Sequence, residues 1–115
     1  MFDHSVTHLP VVLLNTPVLT DFGSYRMRPT DETEARDLVS RHGFVSAIGH
    51  EAAARIMSGL LAIDCPVRRI SYRQRSGELG IVLRLANRLP EGVILPSVES
   101  MRHHGYSLAL LIRDH

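Results

Sequence analysis

Hydrophobic positions along the chain fall into two kinds of pattern. In the first, apolar residues are nearly continuous. Val11-Val12-Leu13-Leu14 is a run of strand length bracketed by Pro10 and Pro17. A run with no polar alternation predicts a strand covered on both faces. Ile81 to Ala86 and Tyr106 to Ile112 read the same way, and the last is expected inside a sheet. In the second kind the apolar residues are periodic. Ser24 to Arg28 and Val67 to Arg75 alternate, which predicts half-exposed strands, the first ended by Pro29. The second has Ile70 and Tyr72 on one face and Arg69, Ser71, Arg73 and Arg75 on the other. Ser76 to Gly80 is a glycine-containing connection of hairpin length between it and the run at Ile81.

Helical spacing occurs twice. Ala35, Leu38 and Val39 line one face of a helix that Thr30 or Asp31 can cap and that runs to about Arg41. Asp31 with Glu34 three residues on resembles a capping box. The acids Asp31, Glu32 and Glu34 come first and Arg36 and Arg41 last, as the helix dipole favours. His42-Gly43 supplies the stop. Phe44 to Ile48 is a short buried segment leading into a second helix, residues 50 to about 62, with Ala53, Ile56, Met57, Leu60 and Leu61 inward. His50 falls in its first turn. Asp64-Cys65-Pro66 breaks the chain, Asn87 to Gly92 is a turn, and Ser97 to His104 is a short helix closed by Gly105. Residues 1–9 read as a flexible extension. The elements predict one α+β domain, residues 10–115, with a central mixed or antiparallel sheet of about five strands flanked by helices. Three modest helices leave much of such a sheet to be covered, and a symmetric homodimer would bury the remainder.

Composition adds limits. The chain has 115 residues, 44% hydrophobic and 22% charged, which suits a single globular domain. No apolar run is long enough for a membrane-spanning helix. The polar start, Met1 to His8, lacks the pattern of a signal peptide. One cysteine, Cys65, cannot form an internal disulfide, and a cytoplasmic setting is expected. The net charge of +1 argues against a duplex DNA partner. The thirteen basic residues are all arginine, and Arg68, Arg69, Arg73, Arg75, Arg84 and Arg88 cluster with Glu78 as the lone acid among them. Arginine suits phosphate contacts and stacking on bases.

Several chemistries find no support. Seven histidines, His103-His104 among them, show no zinc spacing, so no metal site is expected. The glycine-rich nucleotide motifs and the serine elbow are absent. What remains is a set suited to RNA cleavage. His50 at a helix start borders a natural anion site. Arg88 and Glu91, three residues apart on a turn, can flank a phosphodiester, and Arg69 adds a cation. A 2′-hydroxyl attacking its own phosphate needs only a cationic cradle and an acid for the leaving oxygen. No cofactor is required.

These same residues carry a resemblance. Leu13 to Thr20, Ser46 to Glu51, Val67 to Ile70 and Asn87-Arg88-Leu89-Pro90-Glu91-Gly92 occur in the order and spacing of the viral ring nuclease family. These are type III anti-CRISPR proteins with bacterial and archaeal relatives. The similarity covers about residues 11 to 113. It implies a homodimer that binds cyclic tetra-adenylate at its two-fold axis and cuts it without metal to di-adenylates ending in 2′,3′-cyclic phosphate. That reaction would switch off type III CRISPR signalling. The resemblance implies His50 as the acid, with Arg88 and Glu91 orienting the reacting groups. It implies Asn15, Thr16, Ile48, Gly49, Arg69 and Arg84 as ligand-binding residues. Arg84 and Ala53 stand where a relative carries an amide and a hydroxyl. A module that binds the ring without cutting it shares the arginines but not the need for His50.

Overall fold

The computed structural model describes residues 9–85 and 105–115. In chain order the elements are β1 (Val11–Leu14), β2 (Tyr25–Thr30), α1 (Glu32–His42), β3 (Phe44–Ser46), α2 (Glu51–Leu61), β4 (Leu79–Leu85) and β5 (Tyr106–Arg113). The five strands form one sheet in the order β2-β5-β4-β1-β3. β1 runs parallel to β3 and to β4, and β5 runs antiparallel to β4 and to β2. The domain is α+β with a mixed five-stranded sheet, as the patterning predicts. The extension before Leu9, the turn at 87–92 and the short helix at 97–104 lie outside the described residues.

The continuous apolar runs are explained by a sheet packed on both sides. Val11, Leu13, Ile81, Leu83, Leu108, Leu110 and Ile112 face α1 and α2, meeting Leu38, Met57 and Leu60. Val12, Leu14, Val82, Ala109 and Leu111 face the other way, against Val18, Tyr25, Ala47 and Tyr72. β1 lies between two strands and all four of its residues are buried. α1 begins as expected: Asp31 caps it, its carboxylate accepting from the Glu34 N–H at 2.8 Å. It ends at Gly43, whose N–H donates to the Val39 carbonyl at 2.9 Å with φ 71° and ψ −179°. That backbone region is open only to glycine. Gly43→Ala is therefore expected to cost about 1–3 kcal/mol, read as a lower denaturant midpoint at constant slope.

Three expectations change. Pro29 does not end its strand but lies inside β2 opposite Ala109. β2 is the outermost strand, where a missing N–H need not break the ladder. Residues 67–75 form no strand and no hairpin with β4. Both edges of β4 are occupied, by β1 and β5, so the segment has no edge to join. The segment turns inward only toward its end, Val67 being 45% and Ile70 51% exposed while Tyr72 is half-buried and Gln74 buried. It is held by individual bonds, with Arg68 N–H donating to the Ile48 carbonyl at 2.8 Å and the Gln74 side-chain amide to the carbonyls of Glu78 (2.7 Å) and Leu111 (2.8 Å). Finally, Phe44 to Ile48 is not uniformly buried: Phe44 to Ser46 is the other outer strand, with Val45 exposed.

Candidate functional site

Parallel pairing brings three strand ends together. Leu13 lies opposite Ser46 and Leu14 opposite Val82, so β1, β3 and β4 finish at one end of the sheet. Asn15-Thr16, Ala47 to His50, and Arg84 all lie at that end. The carboxyl ends of parallel strands are where open sheets place ligand sites, because the loops leaving them diverge.

The peptide from Ser46 to Gly49 is bonded at every residue. Ser46, 2% exposed, donates its hydroxyl to the Pro66 carbonyl at 2.6 Å and accepts from the Ile48 N–H at 3.3 Å. Ala47 N–H donates to the Leu13 carbonyl at 2.9 Å, continuing the ladder one residue past β3. The Arg69 Nε donates to the Gly49 carbonyl at 2.9 Å. A Cβ on Gly49 would stand 2.9 Å from Arg69 Cγ, so glycine is what lets the arginine cross this close.

His50 follows as the N-cap of α2, one position before the first turn in which the sequence placed it. Its backbone is extended (φ −120°, ψ 124°), its carbonyl accepts from the Ala54 N–H at 3.0 Å, and its exposed imidazole makes no capping bond. The first N–H groups of α2 therefore lack a side-chain cap from His50, and a helix start of this kind attracts anions.

A groove of about 590 Å³ opens beside this peptide. Leu14, Asn15 and Thr16 line it from the end of β1, Val18 and Thr20 from the loop that follows, and Ala47 and the stretch Ile70 to Arg73 from elsewhere. That volume suits a small organic ligand. Of the residues expected to bind, Asn15 and Thr16 line the groove, while Arg69 adjoins Ile70 of the lining and Gly49 lies two residues beyond Ala47. Ile48 is fully buried and cannot offer its side chain to a ligand. Its carbonyl is taken by Arg68. Arg84 is exposed near the end of β4. Arg88 and Glu91 lie outside the described residues.

The structure adds residues that the sequence pattern does not single out. Glu78, 2% exposed, accepts from the Tyr72 hydroxyl, from the Arg75 N–H at 3.2 Å and from its guanidinium at 3.2 Å. Burial, reinforced by the carboxylate, pushes the Tyr72 phenol well above its ordinary range. This pair fixes the groove wall at Tyr72. The only trace in the sequence is Glu78 as the single acid among arginines. Cys65 is buried, its thiol pushed up by burial and lying 3.6 Å from the Ser46 hydroxyl, which suits packing and not nucleophilic attack. Among the described residues no three His, Cys, Asp or Glu side chains gather at a metal-binding distance, and no helix is long and apolar enough to cross a membrane.

Residues 11–108 match the STIV B116-like family. ORF117 of Acidianus two-tailed virus is 33% identical over 106 residues, covering 88% of this chain and 91% of its own length. Protein 26 of Sulfolobus islandicus filamentous virus is 32% identical over 77 residues, 67% of this chain and 65% of its own. YddF of Bacillus subtilis is 27% identical over 107 residues, 90% of this chain and 99% of its own. Among solved structures, B116 of Sulfolobus turreted icosahedral virus superposes with a TM-score of 0.73 at 20% identity, over 90% of this chain and 98% of that one. The fold is shared with that viral protein, and by the match along most of its length the chain belongs to the STIV B116-like family.

Proposed function

We propose that the protein is a metal-independent ring nuclease. It binds cyclic tetra-adenylate across the two-fold axis of a homodimer and cleaves it to linear di-adenylates with 2′,3′-cyclic phosphate ends, silencing type III CRISPR signalling. The observation that carries this reading is His50: an exposed imidazole at the start of α2, uncommitted to capping, on a peptide bonded at each preceding residue. A group that must deliver a proton to one oxygen gains from a backbone held in place.

In the step itself the 2′-oxygen forms a bond to the adjacent phosphorus and loses its proton to solvent. The bond from phosphorus to the 5′-oxygen breaks, and that oxygen takes a proton from the His50 imidazolium. The helix N–H groups and the Arg69 guanidinium offset the charge that builds on the phosphate. Asn15 and Thr16 line the groove in which a nucleoside of the ring would lie. Arg84, Arg88 and Glu91 complete the proposed set.

Incubating the protein with labelled cyclic tetra-adenylate in EDTA tests the reading. The expected products are di-adenylates with cyclic phosphate ends. An intact ring that co-migrates with the protein would replace the enzyme by a binding module; no binding would remove both. Arg69→Ala has a definite expectation. Its Nε bond to the Gly49 carbonyl and its charge are lost together. Charged hydrogen bonds are worth about 1.5–3 kcal/mol, so affinity for the ring should fall about 10- to 100-fold in a titration.

A further inference from the structure

The geometry points to Arg73 as a further anion-binding residue of the groove, held in the empty protein by Asp21, which competes with the ligand's phosphate. This rests on the reading of the groove as part of an oligoadenylate site.

Arg73 lines the groove, and its guanidinium donates to the Asp21 carboxylate. The carboxylate also lies 3.4 Å from the Arg113 guanidinium and accepts from the Thr20 hydroxyl at 3.4 Å. Thr20 is itself in the groove lining. Asp21 thus joins the two segments that bound the groove, the loop after β1 and the stretch before β4. The Arg73 contact, ahead of the others, holds the Asp21 carboxyl below the usual carboxylate range.

The two arginines on this carboxylate are not equivalent. Arg113 is committed: it donates to the Gln74 carbonyl at 2.5 Å and to the Phe22 carbonyl at 3.3 Å, and its guanidinium lies 5.7 Å from the Tyr25 ring centre. The loop beside it is stitched down independently. The Tyr25 hydroxyl donates to the Asp21 carbonyl at 3.0 Å, Ser24 N–H to the His115 carbonyl at 2.8 Å, and Asp114 N–H to the Ser24 carbonyl at 2.8 Å. A Cβ at Gly23 would meet the His115 carbonyl oxygen at 2.4 Å, so the fit there is close. Arg73 differs. Its side chain is 71% exposed, and among the described residues its ion pair is with Asp21 alone. Its backbone follows Tyr72, which Glu78 fixes.

Arg73 is therefore a cation with a fixed root and a swinging head. A phosphate in the groove offers it two acceptor oxygens, a better match for a guanidinium fork than one shared carboxylate. When Arg73 turns to the phosphate, Asp21 keeps Arg113, so neither carboxylate nor phosphate is left unpaired. A neutral nucleoside cannot win Arg73 from Asp21, and the arrangement favours phosphodiester rings over nucleosides.

The test is a double-mutant cycle, in which calorimetry follows a ring of 2′-deoxyadenylates that cannot be cleaved. Arg73→Gln should weaken binding at least tenfold. Asp21→Asn, which keeps the shape and removes the charge, should tighten it at least threefold. In the Arg73→Gln background Asp21→Asn should change nothing. Unchanged affinity in Arg73→Gln overturns the proposal, as does equal tightening by Asp21→Asn in both backgrounds, which is a mere change of net charge. If Asp21→Asn does not fold, Arg73→Gln decides alone. If wild type binds and Arg73 has no effect, only the role of Arg73 falls. If no variant and no wild type binds the ring, the proposed function falls with it.

Discussion

Replacing His50 by alanine is expected to leave binding of cyclic tetra-adenylate within a few-fold of wild type and to lower its cleavage by about 10²- to 10⁴-fold, the usual contribution of a general acid. Single-turnover kinetics beside a binding titration separates the two. The structure makes this a clean experiment. An N-cap side chain that bonds the helix is costly to lose, but the His50 side chain makes no such bond. Its ring is exposed, so truncation opens no cavity. The carbonyl that Ala54 uses belongs to the backbone and survives the substitution. Stability should barely move, so any lost turnover reports chemistry. Equal loss of binding and turnover would assign His50 to ligand positioning and remove it as the acid.

The second large effect concerns the fold. Leu13→Ala is expected to destabilise the domain by about 2–5 kcal/mol, measured by urea unfolding with an unchanged slope. Leu13 is fully buried and packs in the core between the sheet and the two helices. It sits in a strand of four residues that has β3 on one side and β4 on the other. Neither neighbour can collapse into the space without giving up ladder bonds. Against a typical total of about 5–15 kcal/mol, that loss is a large share. The same strand serves the site, since its Leu13 carbonyl accepts from Ala47 and it delivers Asn15. A cost under 1 kcal/mol would show that this corner of the core relaxes freely.

Leu13 is legible in the sequence: an apolar run between prolines is a buried strand wherever it lies in the sheet. His50 is legible as a residue at a helix start beside glycine. Its meaning depends on neighbours that only folding supplies. Pro66 and Arg69 reach the 46–49 peptide from some twenty residues away. Asp21 meets Arg73 across 52 positions and Arg113 across 92, and no local pattern announces either pairing.

The sequence by itself determined the elements whose signals are local. Asp31 caps α1 and Gly43 ends it, since capping involves only residues within one turn. Ala53, Ile56, Met57, Leu60 and Leu61 form the buried face of α2, since a helix repeats every few residues. β1, β4 and β5 followed from apolar runs, since a strand packed on both faces has no polar side. The tertiary structure alone decided which edges met. Residues 67–75 alternate like a strand but found β4 flanked on both sides, and Pro29 stayed inside β2 because that strand lies at the rim. Strand pairing is a competition among distant segments for a limited number of edges. A local pattern reports which side of a residue is buried, whereas only the assembled sheet settles which segment is left over to line the groove.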